Sequence, residues 1–147
     1  MTNNGKAKLL PLYFEARDEG FDKQIEALKN LLKDDADILQ AAPLGAGVGD
    51  ADAVVFPQML GESYRRLADF KAIKVPLLIV TSEFGTLSMW DWEIINYLKL
   101  EGVATIAPYN VRQTKNVCSA LALKREMATA KFLVFQDNPG EGMQPEI

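Results

Sequence analysis

The chain of 147 residues is 48% hydrophobic and 24% charged with a formal net charge of −4, which predicts one soluble folded domain with a sizeable core. The acidic balance and the absence of basic runs longer than two residues disfavour a surface for nucleic acid or for a membrane. The sequence has no histidine and a single cysteine, so histidine-dependent catalysis, zinc sites built on histidine or several cysteines, and an internal disulfide are excluded within it.

The first part of the chain is predicted to alternate strands and helices. An apolar segment at 9–14 predicts the first strand. Phe21, Ile25 and Leu28 recur at helical spacing and predict a helix over about 21–33. Two short strands and a second helix follow, at 37–40, at 52–56 and around Leu60, Tyr64 and Leu67.

The second part of the chain continues the alternation. The unbroken apolar run at 77–81 is typical of a strand that is buried on both faces of a sheet. Ser88 and Asp91 predict a capped helix start, and Gly102 predicts the end of that helix. The remaining elements are two strands and a helix, at 103–107, 131–136 and 114–130.

This alternation favours right-handed crossovers and a parallel sheet. We therefore predict a three-layer, doubly wound α/β fold, flavodoxin-like or Rossmann-like, with about five to six strands. In the numbering of the predicted strands, the expected order is 2-1-3-4-5, with the sixth strand at an edge. The expected division is a single domain at 1–137 and a turn-rich segment at 138–147, which is expected to begin a linker to further domains.

The beginning of the chain and its single cysteine bear on location. The first residues are polar and lead into no apolar signal segment, and no apolar stretch approaches the roughly 20 residues that cross a bilayer. We therefore expect a cytoplasmic protein. Cys118 fits a reducing compartment and is predicted to be a small buried side chain of its helix.

Ligands of open α/β sheets bind outside the carboxyl ends of the strands, where the strand order reverses. This rule selects the residues after each predicted strand, but the usual cofactors fit poorly. The run Gly45–Gly49 leads into a strand rather than a helix, which disfavours a dinucleotide site. Glu15, Asp18 and Glu19 follow the first strand and would repel the phosphate of a flavin. The acidic residues share no spacing typical of a metal site, so no cofactor and no metal are expected in this chain.

Several short segments from the fourth predicted strand onward form a recognisable set. The segments are 81–85 (Thr-Ser-Glu-Phe-Gly), Trp90-Asp91, Tyr97-Leu98-Lys99, Gly102, Pro108-Tyr109-Asn110 and 131–143. Together they resemble the amino-terminal domain of the L-fucose/L-arabinose isomerase-like family of sugar isomerases. The last segment is the most distinctive, while the first third of the chain matches only in pattern.

The resemblance implies a function for a larger protein. Such enzymes interconvert aldoses and ketoses with a divalent metal, usually manganese, held by residues of later domains. The chain would be an amino-terminal fragment without the catalytic centre, inactive alone. It would contribute to a homo-oligomer and lend side chains to a neighbouring subunit's sugar pocket. Trp90 corresponds to the tryptophan that the family lends to the neighbouring pocket. Arg17 corresponds to the lent arginine by position alone.

We expect Arg17, Glu83 and Trp90 to lie near one another as substrate-binding residues, because the loops after neighbouring strands share one rim of the sheet. Arginine offers several hydrogen-bond donors to hydroxyl groups, and tryptophan offers a flat apolar face to a sugar ring. The alternative function is a free-standing flavodoxin-like module that binds a small molecule or a partner. A receiver module is disfavoured, since the third predicted strand ends in Phe56-Pro57-Gln58 without the required aspartate.

Overall fold

The computed structural model describes residues 5–57, 62–80 and 89–133, with the side chains of residues 89–91 excepted. Strands and helices alternate along most of this part of the chain. In chain order the elements are β1 (Ala7–Tyr13), α1 (Glu19–Leu31), β2 (Ala36–Ile38), β3 (Ala42–Pro43), β4 (Ala53–Phe56), a 3-10 helix (Ser63–Arg66), α2 (Leu67–Ala72), β5 (Leu77–Ile79), α3 (Met89–Leu100), β6 (Thr105–Ile106) and α4 (Val111–Thr129).

The strands form one parallel sheet in the order β2-β1-β4-β5-β6, and β3 pairs with the end of β1. Leu9 of β1, for example, lies between Ile38 of β2 and Ala53 of β4. The predicted α/β class and the predicted order 2-1-3-4-5 are therefore confirmed, because the third, fourth and fifth predicted strands are β4, β5 and β6. All carboxyl ends lie on one side of this parallel sheet, here called the carboxyl edge, and the opposite side is the amino edge.

Two hydrophobic clusters cover the two faces of the sheet and make the fold three-layered. Side chains alternate between the faces along β1, so that Leu10 and Leu12 join the first cluster while Leu9 joins the second. The first cluster contains residues of α2 and α3, and the second contains residues of α1 and α4. The continuous apolar sequence of β4 and β5 follows from this arrangement, since both of their faces are buried.

Capping residues mark the starts of α1 and α4 and the end of α3. The Asp18 carboxylate accepts a hydrogen bond from the Phe21 amide at 2.7 Å and caps α1. The Asn110 side chain caps α4 in the same way, through the Gln113 amide at 2.9 Å. Gly102 has a φ of +86°, so the predicted glycine at the end of α3 is confirmed. Ser88 lies outside the described residues, and its capping role stays a prediction.

The connection between β2 and β4 contains no helix. It forms the two-residue strand β3 and then a turn in which Gly45, Gly47 and Gly49 all have positive φ angles. Leu44 is buried in the first cluster and anchors this connection to the face that a helix would otherwise cover. Strand β3 was not predicted from the sequence, because two residues that include a proline show no strand periodicity.

Two predicted elements differ from the structure. The second predicted helix is split into the 3-10 helix and the six-residue α2, while Leu60 lies outside the described residues. The predicted sixth strand is wrong for its first three residues, 131–133, which form no strand. Phe132 and Leu133 are 83% and 81% exposed, so this apolar run finds no neighbouring strand to bury it there. Residues 134–147, which include the predicted tail at 138–147, lie outside the described part.

The prediction for the single cysteine is confirmed, since Cys118 is fully buried in the second cluster. Within the described ranges, no helix combines the length and the apolar character that a bilayer crossing requires.

Candidate functional site at the carboxyl edge of the sheet

The strand order reverses between β1 and β4. The chain leaves β1 toward β2 on one side, and β4, β5 and β6 follow on the other side. At such a reversal, connections to opposite sides of a parallel sheet generally leave a gap at the carboxyl ends of the two central strands, which is the usual ligand position in this class of sheet.

An open crevice of about 470 Å³ lies at this reversal. One wall is the segment that follows β1, and the other is the 3-10 helix that follows β4. We call it the switch-point crevice; its lining residues are Phe14, Glu15, Ala16, Glu62, Arg65 and Arg66.

An aromatic cluster lies against the crevice. Phe14 lines it and contacts Phe56 and Phe70, with ring centroids 5.4 Å and 6.2 Å away. Phe56 and Phe70 are themselves 5.3 Å apart and fully buried in the first cluster. The apolar surface that Phe14 presents to the crevice is therefore backed by buried rings of the first cluster.

The two arginines of the 3-10 helix differ in how firmly they are held. Arg66 is fixed, because its Nε lies 2.5 Å from an Asp69 carboxylate oxygen and its Nη2 donates to the Leu44 carbonyl oxygen at 3.0 Å. Arg65 is 84% exposed at its side chain and lies 3.6 Å from Glu62, an exposed pair that contributes little to stability. The Arg65 and Glu62 side chains are thus available to a ligand at little cost.

The charges of the crevice suit a neutral polar ligand better than an anion. Glu15 and Glu62 offer acceptors, and Arg65 and Arg66 offer donors, so charges of both signs line the same space. Sugar hydroxyl groups both donate and accept hydrogen bonds and can satisfy both kinds of partner. A phosphate would meet the carboxylates of Glu15 and Glu62 and would find the start of α1 already capped by Asp18.

Arg17, the first predicted substrate-binding residue, follows β1 as expected and is held by α1. Its Nη2 and Nε lie 2.5 Å and 3.0 Å from the Asp22 carboxylate, and its guanidinium carbon is 6.0 Å from the centre of the Phe21 ring. Its side chain lines a groove between α1 and the segment 38–41, on the β2 side of the sheet.

The other two predicted residues cannot be compared with Arg17 in the same way. Glu83 lies outside the described residues. Trp90 stands in the first turn of α3, after β5, and its side chain is outside the described part. The proximity of Arg17, Glu83 and Trp90 therefore stays a prediction.

Another aromatic pair lies farther along the carboxyl edge. Tyr109 follows β6, is 62% exposed, and its ring centroid is 5.6 Å from that of Trp92 in α3. Its backbone is fixed, because its amide donates to the Gln113 side chain at 2.8 Å. Tyr109, which the sequence placed at the end of a strand, is thus presented at this edge.

The sequence analysis selected Glu15 but missed Glu62, Arg65 and Arg66 as neighbours of that residue. The residues considered after the third predicted strand were Phe56-Pro57-Gln58, and those that line the crevice come a few positions later. The available signal was the charged cluster Glu62–Arg66, which directly follows a strand next to the reversal of strand order.

The described titratable groups do not form an obvious catalytic centre. Burial raises the pKa of the Cys118 thiol to about 11, with a further contribution from Asp35, so this cysteine is protonated and unreactive at neutral pH. Desolvation, followed by the charge of Glu93, raises the pKa of Tyr64. In residues 5–57, 62–80 and 89–133, no group of three acidic, histidine or cysteine side chains is arranged to hold a metal ion.

Known proteins do not assign this site. The chain matches no protein-family model, no curated protein and no solved structure.

Proposed function

We propose that the chain binds a sugar in the switch-point crevice, as the amino-terminal domain of a metal-dependent aldose–ketose isomerase of the L-fucose or L-arabinose type. The observation that carries the binding proposal is the crevice itself, where Phe14 provides an apolar surface beside exposed carboxylate and guanidinium groups. Sugar rings combine an apolar C–H face with a ring of hydroxyl groups, so both parts of the crevice find a partner. The isomerase assignment is supported by the sequence resemblance.

The isomerisation chemistry is assigned to other domains of the parent enzyme. Manganese needs several oxygen or nitrogen ligands, and the described residues bring no three suitable side chains together. The side chains of the described residues therefore do not fit the metal. The proposed contribution of the chain is to bind and orient the sugar and to support a homo-oligomer. The proposed location of the protein is the cytoplasm.

Amide NMR spectra of the intact chain test the binding proposal. L-fucose and L-arabinose, titrated to about 50 mM, are expected to bind with millimolar Kd because the crevice is open to water. The amide signals of residues 14–16 and 62–66 are expected to shift.

A pair of variants makes this test specific. Arg65→Ala is expected to weaken binding about 5-fold through the loss of a charged hydrogen-bond donor. Lys124→Ala removes an exposed cation of α4 and is expected to leave binding unchanged. The proposal is wrong if the sugars shift no crevice signals, or if both variants bind as the wild type does.

The isomerase assignment has its own test in the full-length parent. Arg17→Ala and Trp90→Ala are expected to raise KM for the sugar while the fold survives. Unchanged kinetics in both variants would contradict the assignment without affecting the binding result. In that case, sugar binding by the isolated chain would favour the alternative function, a free-standing binding module.

A further inference from the structure

Large apolar side chains are exposed at the end of α4 and just beyond it. Leu123 and Met127 are four residues apart on one face of the helix and are 56% and 60% exposed. Phe132 and Leu133, which follow the helix, are 83% and 81% exposed. Half of the eight large hydrophobic residues that are exposed in the described ranges therefore lie within positions 123–133. Such a concentration is typical of an interaction surface, whereas single exposed apolar residues are common.

A groove of about 340 Å³ opens beside Leu123 at the amino edge of the sheet. It is formed by the start of β1, the turn before β2 and the second half of α4, and we call it the α4 groove. Its apolar lining includes Leu123 and Ala122. The groove therefore continues the exposed apolar face of α4 toward the sheet.

Acidic side chains surround the apolar part of the α4 groove. Asp34, Asp35 and Glu126 line it, and Lys6 is the one basic residue among its lining side chains. Asp35 is paired with Lys115 at 3.5 Å, whereas Asp34 is exposed. The groove thus presents apolar surface beside an accessible carboxylate, which favours a partner that combines an apolar side chain with a cation.

The segment 131–133 has this combination. Lys131 supplies the cation, and Phe132 and Leu133 supply the apolar side chains directly after it. The segment does not fill the groove of its own chain, because both apolar residues remain more than four-fifths exposed. It nevertheless begins close to that groove, since α4 advances only about 9 Å from Leu123 to its end at Thr129. A surface that carries both complementary parts side by side can pair with a second copy of itself.

We propose that a second copy of this chain covers this surface in a two-fold symmetric dimer, in which the segment 131–133 of each copy lies in the α4 groove of the other. Lys131 of one copy faces Asp34 of the other, and the apolar residues of the segment pack against the exposed face of the other α4. Because the exchange occurs twice about one axis, the contact closes and does not propagate. The inference gives a surface to the proposed homo-oligomer and is independent of the sugar site at the carboxyl edge.

The size of the surface determines the expected strength of the dimer. Burial of a large apolar side chain removes on the order of 100 Å² from water, so the apolar residues of both copies together bury roughly 800 Å². Stable interfaces bury about 1,200 Å² or more, so this dimer belongs to the weak class. We expect a Kd on the order of 10–100 μM, with the two charged pairs fixing the register of the segments.

Sedimentation velocity of the intact chain between about 5 and 500 μM tests the proposal, and the expected result is a reversible change from monomer to dimer. Phe132→Ser is expected to raise the Kd at least about 10-fold, because it removes the largest apolar contact from both halves of the dimer. Leu100→Ser is the matched control, since Leu100 is 88% exposed in α3, on the other face of the sheet. It should leave the Kd unchanged. Both substitutions are at exposed positions and should leave the Tm of the monomer unchanged.

Exchange of the charged pair identifies the contact itself. Lys131→Glu and Asp34→Lys are each expected to raise the Kd about 5-fold, because each brings like charges together. The double variant is expected to dimerise as the wild type does, since the pair is restored with its charges reversed. Two weakened single variants without rescue in the double variant would contradict the pairing of Lys131 with Asp34.

The outcomes separate this inference from the proposed function. A wild-type chain that stays monomeric up to about 500 μM overturns the dimer. If it self-associates and Phe132→Ser does so equally, the homo-oligomer stands and this surface is wrong. Assemblies larger than a dimer would contradict the closed two-fold exchange. The sugar titration follows residues 14–16 and 62–66 at the other edge, so its failure would refute sugar binding and leave the dimer unaffected.

Discussion

The two edges of the sheet differ in how many of their polar groups are paired. At the amino edge, one carboxylate joins three segments: Asp52 accepts from the Lys8 amide at 2.8 Å and pairs with Arg125 of α4 at 2.9 Å. Arg125 also donates to the Asp50 carbonyl oxygen, and Asp50 pairs with the Lys8 side chain. At the carboxyl edge, Arg65 and Tyr109 are exposed, and Ser63 lacks a partner. Polar groups join three segments at the amino edge, whereas at the carboxyl edge Arg66 is held in a similar way but Arg65 and Tyr109 are left available.

This contrast indicates which polar groups contribute to the stability of the fold. A binding site needs polar groups that water or a ligand can reach, and such groups add little to folding. A partly buried polar network whose groups are paired, as Asp52 is with Arg125 and the Lys8 amide, does contribute, and its removal leaves groups without partners. Substitutions at the two edges should therefore separate stability from binding.

The largest expected effect comes from the core behind the crevice. Phe70→Ala should cost about 3–5 kcal/mol of unfolding free energy, because it empties a fully buried ring site. Urea denaturation measures the loss as a lower midpoint with an unchanged slope. Tyr64→Ala is the control, since that ring is 47% exposed and should cost clearly less. Equal costs for the two would contradict the assignment of Phe70 to the core.

The amino-edge network should give the next largest effect. Asp52→Ala leaves the Lys8 amide and the Arg125 guanidinium without their partner and should cost about 1–3 kcal/mol. Asp37→Ala, at an exposed position of β2, is the comparison and should cost little. If both variants unfold at the same urea concentration, the network does not stabilise the fold.

The exposed part of the same network should show a smaller, pH-dependent effect. A hydrogen bond from Lys8, together with the charges of Lys8 and Arg125, lowers the pKa of Asp50 below 3.8. The folded state therefore prefers the ionised carboxylate, so the contribution is present at neutral pH and is lost as the pH falls below about 4 toward the lowered pKa. Thermal unfolding of wild type and Asp50→Asn should differ at pH 7 and converge in acid. A constant difference across this range would contradict the linkage.

The smallest stability effects are expected at the carboxyl edge. Arg65→Ala and Tyr109→Ala should each change the unfolding free energy by less than about 0.5 kcal/mol, because both side chains are largely exposed. Urea denaturation at neutral pH measures this. A loss as large as that of Asp52→Ala would show that these residues are structural, and the contrast between the two edges would be lost.

The fold class and the strand order could be predicted from the sequence because they follow from local patterns of apolar residues. Helical spacing in α1 and the apolar run of β5 reported burial directly, and short connections left few strand orders to consider. The run at 131–133 had the same apolar character, but a strand also needs a neighbour, and the sequence pattern contains no information about that. The two-residue strand β3 exists only through its pairing with Leu12 and Tyr13.

The candidate site was predictable only in part. The rule for parallel sheets pointed to the carboxyl edge and to Glu15, which lines the crevice there, since the rule depends only on strand order. The approach of Arg65 and Arg66 to Phe14 depends on the 3-10 helix, which replaces the start of a regular helix. The lack of a hydrogen-bond partner for Ser63 depends on how the folded chain packs, and no residue pattern predicts it.

The placement of α4 has a consequence for synthesis of the chain. Cys118 and Leu121 complete the cluster that contains Ala7 and Leu9, so this face of β1 is fully covered only when α4 packs beside α1. During translation, a nascent chain that has emerged only as far as β6 would leave part of this apolar face exposed. Pausing or premature termination in that interval would favour aggregation or chaperone binding, whereas release of α4 would close the face and the amino-edge network together.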